Sequence, residues 1–369
     1  MRRRLRLLFA FTFGGLAAVV GFNYCVNPFG LWGPTLVAQQ YTKAGRDLVF
    51  PGHSVHIREE ARVVLIGSSR TRTGFWVPSV CRDGVLNTGV PNASLADMEL
   101  VAQKIGERDD VQRVIVEASF FMVLAGFVEQ DVPDLVERLE GDLGRRVTET
   151  LASRGALQAS VRKLRRSLGM GFGDDGRSIP WPVTDIVETV RGMDGAPEMT
   201  ETVARESLIQ AGVPFEEPRV LPDRLQRQLA IARDLRARGK DVVFFVPPVT
   251  EYRLEMVRQH GLWDAYCDWK AALVTVAPTW DFGRSGALSI FEGGYRDVHH
   301  FRDAIGWLMM RRMLGQPEAG LDPLSLSLLD AARFYDQGAT DAIRSDAKTR
   351  IPNVDKKYAQ VVADLLATP

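Results

Sequence analysis

Short, uncharged apolar runs of three to five residues restrict the fold of this 369-residue chain more than any other feature. Val63–Ile66, Val114–Val116 and Val242–Val246 are such runs, and they are rich in β-branched and aromatic side chains. This length and composition are typical of strands that are buried on both faces of a parallel sheet. Ala93–Ile105 and Leu225–Arg238 lie between those runs and carry apolar residues at helical spacing. The alternation predicts an α/β fold, a three-layer α/β/α sandwich with a mostly parallel sheet.

A basic N-terminal stub precedes a long apolar segment. Arg2, Arg3, Arg4 and Arg6 are followed by Leu7–Val26, a run of 20 residues without a charged side chain. At about 1.5 Å per residue, a helix of that length crosses the roughly 30 Å core of a bilayer, and the arginines hold its start in the cytoplasm. We therefore predict one transmembrane helix in the cytoplasmic (inner) membrane, with the globular domain on the periplasmic or extracellular side.

A cleaved signal peptide is the alternative interpretation of the same segment. It is less favoured, because residues 23–28 contain no convincing small-x-small cleavage site and no good lipoprotein motif precedes Cys25. Under the alternative, the mature chain is a soluble protein that begins after the apolar run.

The composition is that of a globular protein, with 46% hydrophobic and 25% charged residues. This balance excludes a disordered chain, a collagen and a multi-span membrane protein. Lys and Arg total 46, and Asp and Glu total 46, so the chain lacks the basic excess that is typical of nucleic-acid binding. We therefore expect no nucleic-acid partner.

The pattern of strands and helices divides the chain into five segments. They are a cytoplasmic arginine stub with the transmembrane anchor (1–30), a first part of the core (31–126), an insertion or cap (127–222), a second part of the core (223–316) and a C-terminal helical extension (317–369). A segment inserted after the third strand of an open α/β sheet emerges at the carboxyl edge, where such folds bind ligands. We therefore expect the insertion to form one wall of the cleft.

Neither a cofactor nor a metal site is predicted. Gly169, Gly171 and Gly173 superficially suggest a nucleotide loop, but no strand precedes them and no lysine follows. The three cysteines are too few and too scattered for a zinc cage or a disulfide framework. A single disulfide between Cys81 and Cys267 is left as an alternative.

Two serines directly follow the first predicted strand. In the segment Gly67–Ser69 their hydroxyls lie on the turn at the top of the sheet, where a reacting carbonyl can approach. A serine hydroxyl is a weak nucleophile and needs a base within hydrogen-bond reach, most often a histidine. Among the five histidines, His300 is favoured over its neighbour His299, because Asp297 lies three residues ahead of it and can orient its imidazole.

Together these residues resemble the SGNH (GDSL-like) hydrolase superfamily. The match rests on Gly67–Ser69 for the first block, Gly89 for the second and Asp297–His300 for the last, and it covers roughly residues 60–125 and 225–315. The Gly-Ser-Ser-Arg variant of the first block is similar to a membrane-anchored envelope branch. That branch includes proteins associated with polysaccharide O-acetylation and with D-alanylation of teichoic acids.

The resemblance implies a serine esterase or O-acyltransferase with a Ser-His-Asp triad. In that assignment Ser69 is the nucleophile, His300 is the base and Asp297 orients the base. The resemblance also implies that the backbone N–H groups of Ser69 and Gly89 form the oxyanion hole.

One block departs from the superfamily pattern. An asparagine follows the third strand in that pattern, whereas the strand here runs into Glu117-Ala118-Ser119. We expect either that the Ser119 hydroxyl donates to the oxyanion or that the site is one donor short. The loss of one such donor costs on the order of 100- to 1,000-fold in rate.

Arg70 follows the candidate nucleophile directly and is a candidate for substrate binding. A guanidinium at that position can hold an anionic sugar or another carboxylate. A structural salt bridge is the alternative role, and it is the commoner fate of an arginine.

We expect acyl transfer by an O-acetyltransferase or acetylesterase at the outer face of the cytoplasmic membrane. Its substrate would be a cell-envelope polysaccharide or an acyl ester, and the anchor would hold it beside a membrane-bound acyltransferase or export protein. The alternative is a catalytically silent domain of the same superfamily that binds glycan or scaffolds an envelope polysaccharide assembly. Fold alone does not distinguish the two.

The anchor assignment predicts that the mature protein keeps its N-terminus and partitions with membranes. N-terminal sequencing of the protein recovered from a membrane fraction checks this. Recovery of a soluble form that begins after residue 20 would contradict it.

Overall fold

A computed structural model describes residues 2–29, 31–32, 53–56, 61–75, 84–130, 132, 134–167, 201–316, 321, 323–347 and 355–367. These residues form an α/β fold with a mostly parallel six-stranded sheet and one N-terminal apolar helix. The strands are β1 Val63–Ile66, β2 Val85–Asn87, β3 Arg113–Glu117, β4 Asp241–Val246, β5 Thr279–Asp281 and β6 Arg333–Tyr335.

The helices of the described residues are numbered in chain order. They are α1 Arg2–Val26, α2 Ser69–Gly74, α3 Leu95–Gly106, α4 Leu135–Glu140, α5 Leu143–Val147, α6 Arg154–Ser167, α7 Glu201–Gly212, α8 Pro222–Ala237, α9 Glu251–Gln259, α10 Trp263–Val276, α11 Ala287–Ile290, α12 Asp303–Met313, α13 Pro323–Asp330, α14 Thr340–Ala347 and α15 Asp355–Leu366. Short 3₁₀ turns occupy His53–His56, Phe121–Val123, Val213–Phe215 and Glu292–Gly294, and a π turn occupies Thr148–Ala152.

The order of strands in the sheet is β2-β1-β3-β4-β5-β6, and the first five strands run parallel. β1 and β3 pair in register from Val63 opposite Arg113 to Ile66 opposite Val116. The carboxyl ends of these two strands therefore lie side by side. This edge of the sheet is where an open α/β fold places its ligand site.

Successive strand residues enter two separate hydrophobic clusters, because side chains alternate between the faces of a sheet. Val64 and Val114 belong to one cluster, together with residues of α3, α8 and α10. Leu65, Ile115 and Phe245 belong to the other, together with residues of α12 and α13. Both faces of the central strands are thus covered, which explains why their sequences are continuously apolar.

The C-terminal extension differs from its prediction as a purely helical segment. It contains α13, α14 and α15, but also β6, which pairs antiparallel with β5 at the edge of the sheet. The rings of Trp280 and Phe334 lie 4.9 Å apart across this pair. Pairing with β5 covers an otherwise exposed sheet edge, and this gain is tertiary and therefore invisible in the local pattern.

The insertion leaves and re-enters the core at one place, where Leu124 and Val220 form an antiparallel bridge. Within it, α4 packs against α3, and α6 packs against the end of α1. The glycine-rich segment 169–176 and Cys81, on which the nucleotide-loop and disulfide interpretations depend, lie outside the described residues.

Within the described ranges, α1 is the one helix that is long and apolar enough to cross a membrane. Length and composition of this kind are also those of a signal sequence. The side chains of Phe9–Ala18 are exposed, whereas Asn23 and Val26 are buried against the globular domain.

A buried ion pair joins α10 to strand β5 of the sheet, and its contribution to stability can be tested by substitution. Lys270 Nζ lies 2.8 Å from Asp281 Oδ2 and also donates to the Gly283 carbonyl at 2.8 Å. Lys270→Met leaves the carboxylate buried without its counter-charge, so we expect the free energy of unfolding to fall by about 3–5 kcal/mol in a denaturant titration.

The double variant Lys270→Met/Asp281→Leu should recover most of that loss, because no uncompensated charge remains. Arg233, which is exposed on α8, serves as the control, and Arg233→Met should change the stability by less than about 0.5 kcal/mol. Equal losses in the single and double variants would show that the charge balance is unimportant.

Candidate active site

Ser69 is the first residue of α2, directly after the turn that ends β1. Ser68 has extended backbone geometry and caps the helix, because its hydroxyl accepts a hydrogen bond from the Arg70 N–H at 3.4 Å. Gly67 is required by space, since a Cβ there would lie 2.0 Å from Thr71 Oγ1. The helix can therefore begin immediately after the strand, which places Ser69 at the carboxyl edge of the sheet.

The structure brings the three predicted catalytic residues together. Ser69 Oγ lies 2.9 Å from His300 Nε2, although 231 residues separate them in the chain. His300 Nδ1 lies 2.7 Å from Asp297 Oδ2. The other carboxylate oxygen, Oδ1, accepts the backbone N–H groups of His299 at 2.9 Å and His300 at 2.8 Å. These contacts fix the orientation of the carboxylate and, through it, of the imidazole.

The charge states of this cluster follow from its surroundings. Burial opposes ionisation of Asp297, but the hydrogen bond from His300 and the nearby histidines outweigh it, so its pKa is held below the ordinary range. Burial, with the charge of His300 as the second cause, lowers the pKa of His299 well below its usual value. His299 is therefore neutral at pH 7, and Asp297 is ionised.

His299 lies beside the triad without contacting Ser69. Its ring centroid is 4.1 Å from that of His300, and its Nδ1 is 3.4 Å from Asp297 Oδ1. Asp297, His299 and His300 have donor atoms within 4.8 Å of one another, an arrangement that is capable of holding a metal ion. However, both ring nitrogens of His300 already contact Asp297 and Ser69, so a metal there would have to displace the triad contacts.

Glu117 is the residue of this site that sequence reasoning missed. It ends β3 and is fully buried, and its Oε1 lies 2.7 Å from Ser68 Oγ and 2.6 Å from Arg70 Nη2. Its Oε2 accepts the Ser68 N–H at 3.0 Å, the Thr71 hydroxyl at 2.6 Å and the Thr71 N–H at 3.3 Å. In the sequence, the feature that could have indicated Glu117 is its position as a charged residue at the end of an otherwise apolar strand.

Burial raises the cost of ionising Glu117, but the positive charge of Arg70 and the hydroxyl donors Thr71 and Ser68 more than offset it. The pKa of Glu117 is therefore lowered, and the group is an internal anion. It holds the first turn of α2 against the sheet.

Arg70 was predicted to bind substrate, and the structure places its guanidinium in the internal ion pair with Glu117. Its side chain is only 7% exposed. This is the structural salt bridge that the sequence left as the alternative, because a buried carboxylate requires a compensating charge.

The three predicted oxyanion donors differ in whether they already have a hydrogen-bond partner. The Gly89 N–H donates to Asn87 Oδ1 at 2.9 Å, so it already has an acceptor. Gly89 is needed there for space, since a Cβ would lie 2.6 Å from the Arg72 nitrogen of α2. For Gly89 to bind an oxyanion, the Asn87 side chain must first release its N–H.

Ser119 is buried after β3, and within the described part of the chain its hydroxyl has no hydrogen-bond partner. Its carbonyl accepts from Gln228 Nε2 at 3.1 Å, which fixes the backbone there. In contrast to the N–H groups of Ser68, Arg70 and Thr71, the Ser69 N–H has no acceptor among the described residues. Of the three predicted donors, the Ser69 N–H and the Ser119 hydroxyl are thus unoccupied among the described residues, whereas the Gly89 N–H is already bonded to Asn87.

Arg253 adds a buried positive charge that the sequence did not reveal. Its guanidinium stacks 3.9 Å from the ring of Phe121 and 5.0 Å from that of Phe215. Burial, with the charge of Arg70 as the second cause, lowers its pKa to about 9, and the nearby charge of Asp297 opposes the shift. Arg253 therefore stays charged at pH 7, close enough to Asp297 to favour its ionised form.

Phe215 belongs to the insertion, so the end of that segment packs beside the residues that surround the triad. Residues 168–200, about a third of the insertion (127–222) that was predicted to form one wall of the cleft, lie outside the described residues.

No protein-family model matches this chain, and a search of curated proteins returns no match.

Glu117 makes the stability of the protein depend on pH. The folded-state pKa of Glu117 is lowered, so its contribution to the free energy of unfolding is complete above the unfolded-state pKa of about 4.3. This contribution is lost as the pH falls below that value. Glu117→Gln leaves Arg70 buried without its partner, so we expect a loss of about 3–5 kcal/mol at pH 7. The difference in the free energy of unfolding between wild type and variant should decrease as the pH approaches 3.

Urea unfolding at a series of pH values measures this difference. Glu140→Gln is the matched control, because Glu140 is exposed, and its curve should follow the wild type. Parallel curves for wild type and Glu117→Gln would rule out the proposed role of the buried charge.

Proposed function

We propose that the protein is a membrane-anchored serine acyl-transfer enzyme, an O-acetyltransferase or acetylesterase that acts on a cell-envelope polysaccharide. The observation that carries the proposal is the continuous contact from Ser69 Oγ through His300 to Asp297, at 2.9 and 2.7 Å. These distances lie within the range that general-base catalysis requires.

The geometry supports one assignment of protons. An ionised carboxylate can only accept hydrogen bonds, so His300 Nδ1 carries a proton and donates it in a hydrogen bond to Asp297. His300 Nε2 is then unprotonated and accepts a hydrogen bond from the Ser69 hydroxyl. As Ser69 Oγ attacks an acyl carbonyl carbon, its proton passes to His300 Nε2. Asp297 stabilises the resulting imidazolium, and the Ser69 N–H donates to the oxyanion.

Collapse of the tetrahedral intermediate releases the leaving alcohol, which takes the proton from His300. Ser69 then carries the acyl group as an ester. A glycan hydroxyl or a water, deprotonated by His300, attacks this ester, and Ser69 regains its proton. The choice between glycan and water decides whether the reaction is transfer or hydrolysis.

The proposal includes a three-layer α/β/α architecture of the SGNH type. The two hydrophobic clusters, to which the two faces of the central strands contribute, support it. It also includes α1 as an uncleaved anchor in the cytoplasmic membrane, with the domain on the periplasmic or extracellular side. Its partners there would be the polysaccharide or an acyl ester and a membrane-bound acyltransferase or export protein.

One observation favours the alternative, a catalytically silent domain that binds glycan or scaffolds an assembly. The Gly89 N–H is occupied by Asn87, so one of the three predicted oxyanion donors is not free to bind an oxyanion. A site that lacks one donor is slower by about 100- to 1,000-fold. A slow transferase and a silent domain therefore differ in whether any turnover depends on Ser69.

The deciding experiment incubates the full chain in detergent with p-nitrophenyl acetate and follows release of p-nitrophenol. Ser69→Ala and His300→Ala should each remove nearly all activity above the background hydrolysis, and the double variant should lose little more, because the residues act as a unit. His56→Ala is the matched control, since His56 bonds to the Arg138 carbonyl away from the triad.

Turnover that persists in Ser69→Ala, or additive losses in the double variant, would contradict the shared mechanism. The absence of turnover in the wild type, together with retained binding of an envelope polysaccharide, would support the silent domain instead.

A further inference from the structure

The last turns of α1 are part of the globular domain. Asn23 and Val26 are buried, and Asn23 Nδ2 donates to the Leu151 carbonyl at 2.6 Å. Lys163 Nζ donates to the carbonyls of Val26 at 2.9 Å and Asn27 at 3.0 Å. An ammonium group at this end of a helix satisfies its unpaired carbonyls and offsets its negative dipole. The end of α1 is thus clamped to the helices of the insertion.

The clamp fixes the height of these helices relative to a bilayer that α1 crosses. The uncharged run ends at Val26, and Asn23 and Val26 are buried against the domain, so the clamp lies where α1 leaves the hydrocarbon core. The headgroup layer adds about 5–7 Å on each side of that core. Helix α6 contacts α1 at its last residues, so it lies at the level of the headgroups.

The segment at that level is strongly basic in an otherwise balanced chain. Residues 143–167 contain seven Lys and Arg but one acidic residue, Glu149, whereas the whole chain has equal numbers of each. The side chains of Arg154, Gln158 and Arg165 are exposed along α6 at spacings of four and seven residues, which places them on one face. Leu143, at the start of α5, is 59% exposed. Exposed arginines along one face of a helix are typical of helices that lie at a membrane interface.

Part of this charge is already compensated inside the protein. Arg145 pairs with Asp134 and Glu137, and Lys163 is committed to the end of α1. Arg154 and Arg165 are the exposed cations that remain on α6 among the side chains described.

We infer that the exposed face of α6, with Arg154 and Arg165, binds the anionic phospholipid headgroups of the leaflet from which α1 emerges. This inference rests on the membrane anchor of the proposed function. Charge complementarity favours lipid over a glycan as the occupant, because the clamp holds this face in the headgroup layer, where phosphates are concentrated. The contact orients the domain on the membrane, and the insertion then extends from the bilayer to Phe215 beside Arg253.

The test reconstitutes the full chain in nanodiscs of phosphatidylcholine, with or without phosphatidylglycerol, and measures the midpoint of thermal unfolding. A lipid that binds only the folded state stabilises it by mass action. We expect phosphatidylglycerol to raise the midpoint by about 2–4 °C, which corresponds to a modest binding energy for a chain of this size. High salt should remove the rise, because it screens exposed charges.

Arg154→Glu/Arg165→Glu should abolish the rise and leave the midpoint in phosphatidylcholine discs unchanged. Both side chains are exposed, so the variant is expected to fold. Arg233→Glu, on the exposed face of α8, is the matched control and should keep the rise. A rise that persists in the double variant, or no rise in the wild type, would overturn the inference.

A soluble anionic polysaccharide, polygalacturonate, added to phosphatidylcholine discs forms the second arm. If it raises the midpoint as phosphatidylglycerol does, and the double variant loses that rise, the face binds glycan and the lipid inference is wrong. Failure of the chain to co-elute with discs would instead refute the anchor. Turnover of p-nitrophenyl acetate in the same discs reports the proposed chemistry independently.

Discussion

The buried carboxylate of Glu117 is the contact on which the rest of the site depends. It ends the central strand β3 and accepts hydrogen bonds from Ser68, Arg70 and Thr71, so it joins the sheet to the first turn of α2. An anion this deep in a protein is tolerated only when its charge is compensated and its oxygens are hydrogen-bonded. Arg70 supplies the charge, and the turn supplies the remaining donors. The backbone that presents Ser69 is therefore held by the sheet itself.

The other half of the site reaches Ser69 through the packing of two helices. The loop that carries Asp297 and His300 leads into α12, and α12 packs against α2. Gly306 allows this close approach, because a Cβ there would lie 2.0 Å from the Gly74 carbonyl. The aromatic rings that join the two elements are Phe75 and Phe301, with centroids 5.3 Å apart. The contact between nucleophile and base is thus set by helix packing.

The insertion contacts both the end of α1 and the surroundings of the triad. Its helix α6 holds the end of α1, and its residue Phe215 stacks with Arg253 near the triad. Under the proposed function, the site must be held at a defined position relative to the membrane. A rigid contact at the end of the anchor supplies this more directly than a flexible tether, because a tether samples many orientations.

The local patterns of the sequence determined strands β1, β3 and β4, helices α3 and α8, the serine turn and the Asp-x-x-His spacing. Each of these is set by neighbours within a few residues, so periodicity and turn chemistry are sufficient to predict it. Only the tertiary structure decided that His300 meets Ser69 across 231 residues and that Arg70 pairs with Glu117. The physical reason is that the partner of a buried polar group is selected by the packing of distant elements. The same holds for β6, whose pairing with β5 is a gain that no local pattern encodes.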